Sequence, residues 1–149
     1  MGYCLRFIVA EGSPPTLADL RTGLLPLSPD YSLEPEDQSA TLAYQGTPIA
    51  LIGIRASGDD LFDKERSELV ECLGNCLGDR KPEVLVALQG ATGTVTAQVL
   101  TDGDDPSMVV QWLEPVWGWM FTNRRGLLQV DGEGYYDRGG LVLKVEKPS

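Results

Sequence analysis

Three tryptophans, Trp112, Trp117 and Trp119, share one short stretch with Glu114, and a tyrosine pair, Tyr135 and Tyr136, follows in a glycine-flanked loop. Aromatic ring faces attract organic cations, and a carboxylate nearby adds a full countercharge. Trp112, Glu114, Trp119, Tyr135 and Tyr136 therefore form the candidate ligand-binding set, for a hydrophobic or cationic small molecule. Trp117 is left out. At helical spacing it falls on one apolar stripe with Val109, Leu113, Val116 and Met120, so core packing accounts for it. Trp112 and Trp119 lie one step off that stripe, where amphipathic rings suit either a core boundary or a ligand wall.

The residues that are missing exclude more than these include. The chain contains no histidine. That removes the commonest general base, the Ser–His and Cys–His nucleophile pairs, and zinc sites that need imidazole. No glycine-rich turn leads into Gly-Lys-Ser/Thr, and no dinucleotide fingerprint follows a strand. Paired carboxylates remain formally open to acid–base work, but acids in loops are ordinarily solvated surface. Asp131, Glu133 and Asp137 are spaced loosely like calcium ligands, yet no bidentate glutamate follows, and Asp102-Gly-Asp-Asp is shorter still. The expectation is a non-enzymatic protein with no catalytic residues, no metal and no cofactor.

Charge narrows the partners. A formal charge of −10 and a pI near 4.3 repel phosphate backbones and anionic lipid, so neither nucleic acid nor membrane is expected. A small-molecule ligand or a basic protein surface is favoured instead; composition leaves the oligomeric state open. The alternative function is thus an acidic protein-binding partner, of the immunity or antitoxin kind or an accessory subunit, using the acidic loop from Asp30 to Asp37. Cys4, Cys72 and Cys76 are an odd number, which argues for a reducing compartment and small buried thiols. No signal peptide is expected from an N-terminal apolar run this short, and no segment is apolar enough to span a bilayer. The expectation is cytoplasmic.

Several elements must position the aromatic set. Tyr3, Leu5, Phe7 and Val9 alternate as a strand. Thr16 and Asp19 form a capping box ahead of a short helix carrying Leu17, Leu20 and Leu24, which Pro26 ends. Residues 27–39 read as an exposed loop. Residues 40–44 and 48–55 flank Gln45-Gly46-Thr47 as a hairpin. A helix follows to Leu77, capped by Asp60, with Phe62, Leu69, Leu73 and Cys76 buried and Gly78 closing it. Residues 82–91 fit either a helix or a strand, with Pro82 favouring the helix. Val95, Ala97 and Val99 alternate as a strand. The tryptophan helix opens on Asp105 and Pro106, is interrupted at Pro115, and ends at Asn123-Arg-Arg-Gly126, which supplies cations and a glycine. Residues 127–131 and 141–146 make a last hairpin around Gly132–Gly139.

Strand, helix, strand, strand thus occurs twice, over residues 3–55 and 94–146, with residues 60–91 as a helical bridge. One such unit covers a single sheet face, so two are expected to complete each other. The predicted fold is a single α+β domain, two βαββ units in one mainly antiparallel sheet of about six strands with helices on one face. That plan resembles the effector-binding domains of bacterial multidrug-sensing regulators, which grip hydrophobic cations between aromatics and an acid. The resemblance is one of architecture and carries no residue over.

Overall fold

A computed structural model describes residues 3–24, 26, 29–36, 39–100, 106–130 and 133–145. In chain order these form β1 (Tyr3–Glu11), α1 (Leu17–Leu24), β2 (Tyr31–Glu36), β3 (Ser39–Tyr44), β4 (Thr47–Ala56), α2 (Asp60–Cys72), β5 (Cys76–Leu77), α3 (Lys81–Gln89), β6 (Gly93–Val99), α4 (Pro106–Asn123), β7 (Arg125–Val130), β8 (Gly134–Asp137) and β9 (Gly140–Val145). The fold is α+β, and every strand pairing is antiparallel, in one sheet ordered β2-β3-β4-β6-β1-β7-β8-β9-β5.

Local chemistry explains most boundaries. The capping box forms as read: the Thr16 N–H donates to Asp19 Oδ2 at 3.0 Å, and the Asp19 N–H to Thr16 Oγ1 at 3.1 Å. The β3–β4 hairpin turns on Gln45 and Gly46, both at positive φ, which is the backbone a two-residue primed turn demands. Residues 81–89 are helical, with Pro82 in the first turn where its missing N–H costs nothing. Among the described residues no helix is long and apolar enough to cross a membrane.

Two corrections enlarge the sheet. Tyr31–Glu36, expected as exposed loop, is the edge strand β2, because Tyr31 and Leu33 face inward while Ser32 and Glu34 face out. Tyr135 and Tyr136, expected in a loop, lie on strand β8. Each helix of a supposed βαββ unit is therefore followed by three strands, and the sheet has nine, β5 being a two-residue piece at the edge. The two meanders also join the centre by opposite ends: β4, the last of its run, abuts β6, whereas β7, the first of its run, abuts β1. Residues before Arg55 and after Gly93 do share one pleated surface, through β4–β6 and β1–β6.

A third correction concerns layers. The helices cover both faces of the sheet. Leu5, Phe7 and Val9 of β1 pack toward α1 and α4, through Leu20, Leu24, Leu113, Val116, Trp117 and Met120. Ile8, on the opposite side of the same strand, packs toward α2 and α3, through Phe62, Val84 and Leu88. The sequence hides this because the second face, Cys4, Arg6 and Ile8, carries a charge at its middle, where only the aliphatic body of Arg6 is apolar.

Smaller boundaries move as well. Asp59 caps α2, accepting from the Leu61 N–H at 2.9 Å, so Asp60 is the first helical residue. The helix stops at Cys72 and passes through a 3₁₀ turn into β5, short of Leu77. Gly126 is no helix cap; it belongs to β7. The proposed cap Asp105 and the calcium-like Asp131 and Asp102–Asp105 lie outside the described residues, as does the side chain of Val109.

Candidate functional site

The structure separates the five residues singled out in the sequence. Trp112 is half-buried, and its ring lies against Tyr44 of β3, centroids 5.0 Å apart and planes 17° from parallel. Tyr31 packs on Tyr44 in turn, and its hydroxyl donates to the Trp112 carbonyl at 2.6 Å. That bond falls one residue from the Gln111 carbonyl, which Pro115 has no N–H to serve. Trp112 therefore fastens α4 onto β2 and β3. Glu114, two residues on, is exposed. Trp119 is seven residues from Trp112, about 10 Å along the helix axis, and packs elsewhere. Tyr135 is buried on the α2–α3 side, whereas Tyr136 is half-buried on the α1–α4 side with its hydroxyl on Glu133 Oε1 at 2.7 Å. Successive strand residues point to opposite faces, so the tyrosine pair cannot line one cleft. Trp117 is in the core as expected, with no acceptor for its indole N–H among the described residues.

A different grouping forms where α4 runs out beside the turn between β1 and α1. Trp119 lies directly over Gly23 of α1; a Cβ at that glycine would fall 2.1 Å from the indole Nε1. The half-exposed remainder of the indole walls an open depression of about 350 Å³ shared with Asp19, Thr22, Gly23 and Arg124. Asp19 is held below the usual carboxylate range by the Thr16 backbone N–H and then by the Thr16 hydroxyl, with Arg124 adding to both. On the far side of Arg124 lies a second, larger depression of about 610 Å³, lined by Arg124, Arg125 and Arg138 with Glu11, Ser13 and Asn123.

Comparison with protein-family models, curated proteins and solved structures finds no match for this chain. Chemistry must carry the reading. Of the groups that line the two depressions, only Trp119 was singled out in the sequence as a site residue. Arg124 and Arg125 were legible as cations at a helix end, but Arg138 comes from the β8–β9 turn, and nothing local connects it to α4. Among the described residues no three His, Cys, Asp or Glu side chains gather as a metal site requires.

Elsewhere, most described ionisable groups with shifted affinities serve structure. Arg80 bridges α3 to β8, donating to Glu83 at 2.7 and 2.9 Å and to Asp137 at 3.0 Å. Its hydrogen bond holds Glu83 low; burial alone would raise Asp137, but Arg80 and the Gly139 N–H outweigh it. Burial pushes Tyr31 and Cys76 up, and the Glu133 hydrogen bond, then burial, does the same to Tyr136. Lowered carboxylates contribute stability that is complete above their ordinary values of 3.8 to 4.5 and is lost as pH falls through the lowered ones. Raised tyrosines and thiol contribute stability that is complete below their ordinary 9.0 to 10.0 and is lost as pH rises through the raised ones. With no histidine, no side chain ordinarily titrates between. The expected melting temperature is flat to about 2 °C from about pH 5.5 to 8.5, falling on either side. Differential scanning calorimetry across that range tests it, and a slope within the plateau contradicts it.

Proposed function

We propose that the chain is a non-enzymatic binding protein that holds a small hydrophobic or cationic molecule at the C-terminal end of the tryptophan helix. The observation that carries this is the seat of Trp119: its indole rests on a glycine that leaves no room for a side chain, and its free part walls a depression beside an ionised carboxylate. Ring face and countercharge are the two components an organic cation requires. The site therefore uses Trp119 and Asp19, in place of Trp112 and Glu114. Arg124 also lines the depression, its Nε and Nη1 held by the Ser13 and Asn123 carbonyls at 2.8 and 2.9 Å; its charge offsets that of Asp19, so the indole face carries most of the recognition and a hydrophobic ligand is favoured.

Quenching of tryptophan fluorescence by tetraphenylphosphonium tests this. Trp119→Phe is expected to abolish the quenching, Trp112→Phe to preserve it, and Gly23→Ala, which evicts the indole, to weaken binding about tenfold. Quenching that survives in Trp119→Phe overturns the assignment, and its loss in Trp112→Phe instead restores the site first read from the sequence. A second reading, an acidic partner for a basic protein, is supported by α2, where Asp60, Glu68 and Glu71 are exposed and Lys64 is the exposed cation. It is the reading left standing when no hydrophobic cation quenches either tryptophan.

A further inference from the structure

The larger depression beside Trp119 has the opposite chemistry. In a chain of net charge −10, three of the twelve cationic side chains, Arg124, Arg125 and Arg138, converge on it. Arg6, Arg66 and Arg80 are each engaged by carboxylates: Glu65, Asp63, and Glu83 with Asp137. Arg124 and Arg138 are held differently. The Arg124 Nε donates to the Ser13 carbonyl and Nη1 to the Asn123 carbonyl, and an Arg138 Nη2 donates to the Phe121 carbonyl. Neutral carbonyls fix these guanidiniums in place without cancelling their charge. A guanidinium has five N–H donors, and among the described residues Nη2 of Arg124 and Nε and Nη1 of Arg138 remain to bind something else.

Capping the last carbonyls of α4 accounts for part of this arrangement, since cations are favoured at a helix C-terminus. It does not account for Arg125, whose side chain is 85% exposed and meets Glu11 only loosely, at 3.6 Å. The charges decide which ligand fits. Three full positive charges stand against Glu11, Asp19 on the other side of Arg124, and roughly half an elementary charge from the helix end, so the depression stays net positive and favours an anion. Fixed guanidinium forks match the oxygens of phosphate in pairs. Phe121 lines the same wall and offers an apolar surface to whatever the phosphate is attached to.

We infer that this depression is a phosphate-ester site: Arg124, Arg125 and Arg138 bind the phosphoryl oxygens of a small phosphorylated molecule whose organic part lies against Phe121. It is separate from the Trp119 depression, and Arg124 is the one side chain common to both. Arg125 and Arg138 belong to this site alone, so variants there leave the tetraphenylphosphonium response intact and keep the two ideas distinguishable.

Titration calorimetry at low salt with inorganic phosphate and with phenyl phosphate tests the inference on the full chain. Phenyl phosphate is expected to bind with a Kd of about 1 mM or tighter, and inorganic phosphate more weakly. Arg125→Gln and Arg138→Gln are each expected to weaken phenyl phosphate about tenfold, the worth of one charge-assisted hydrogen bond, with an unchanged melting temperature for Arg125→Gln and one lower by about 2–4 °C for Arg138→Gln, which loses its bond to the Phe121 carbonyl. Binding should also fall as salt is raised. No heat with either compound overturns the site. Equal affinities for the two compounds overturn the role of Phe121, and affinities unmoved in both variants overturn the role of the arginines.

Discussion

Gly126→Ala is expected to lower the melting temperature by about 10 °C. Gly126 lies in β7 opposite Val9 of β1, at the centre of the sheet. A Cβ there would sit 1.9 Å from the Ile8 carbonyl oxygen and 2.8 Å from the Phe7 ring. The first obstacle is backbone of the neighbouring central strand, which cannot swing aside as a side-chain tip does. Relief requires β7 to move off β1, which disturbs the layer Phe7 shares with Phe121, rings 5.0 Å apart edge to face. Overpacking of this kind costs about 3 kcal/mol or more, and a chain of this size loses roughly 2–4 °C per kcal/mol. Gly53 is the control. It occupies β4, where a Cβ would meet nothing within 4 Å, so Gly53→Ala is expected to be neutral or stabilising by up to about 1 kcal/mol. Thermal denaturation of both variants checks the contrast; a Gly126→Ala protein as stable as Gly53→Ala refutes the close approach.

The pair also shows what was legible in the sequence. Gly126 follows Asn123-Arg-Arg and looks like the glycine that ends a helix, a local signal with nothing to contradict it. Its real constraint is a carbonyl more than a hundred residues earlier in the chain. Signals carried within a few residues were readable: the Thr16–Asp19 box, the Gln45–Gly46 turn, the apolar face of α4, the alternation in β1 and β6. Short edge elements were not, because β2 contains a proline and acids that blunt a sheet edge and so resembles a loop. The candidate site failed for the same physical reason as Gly126. Trp119 and Trp112 share a helix but rest on different partners, Gly23 and Tyr44, and the tyrosines of β8 are split by the pleat. Spacing along one element shows which residues share a face; it cannot show what that face meets.

Arg6 is the residue where a charge inside a strand has a structural explanation with a measurable consequence. On the α2 side of the sheet its Nε stands 3.0 Å from Glu65 Oε2, and its Nη1 donates to Gln129 of β7 at 2.7 Å. The ion pair's side chains are only 16% and 22% exposed, and Thr94 and Thr96 of β6 lie on the same sheet face. A charge this far from water is expensive once its partner goes. Glu65→Gln keeps the shape and removes the carboxylate facing this guanidinium, so it is expected to destabilise the fold by about 2 kcal/mol, under the cost of breaking a fully buried pair. Arg6→Met should cost a similar amount by stranding Glu65. Removing both charges together, as Arg6→Met with Glu65→Leu, should recover most of the loss, since apolar side chains of like volume replace a pair whose desolvation cost roughly offsets its attraction. A double-mutant cycle of Arg6→Met and Glu65→Leu, each alone and both together, read by urea denaturation, measures this, with a coupling of about 3 kcal/mol expected. Losses that simply add would mean that α2 is held by Phe62 and its apolar neighbours alone, with Arg6 and Glu65 as bystanders. A coupling of the expected size would instead make the ion pair the contact that fixes where the acidic helix lies on the sheet.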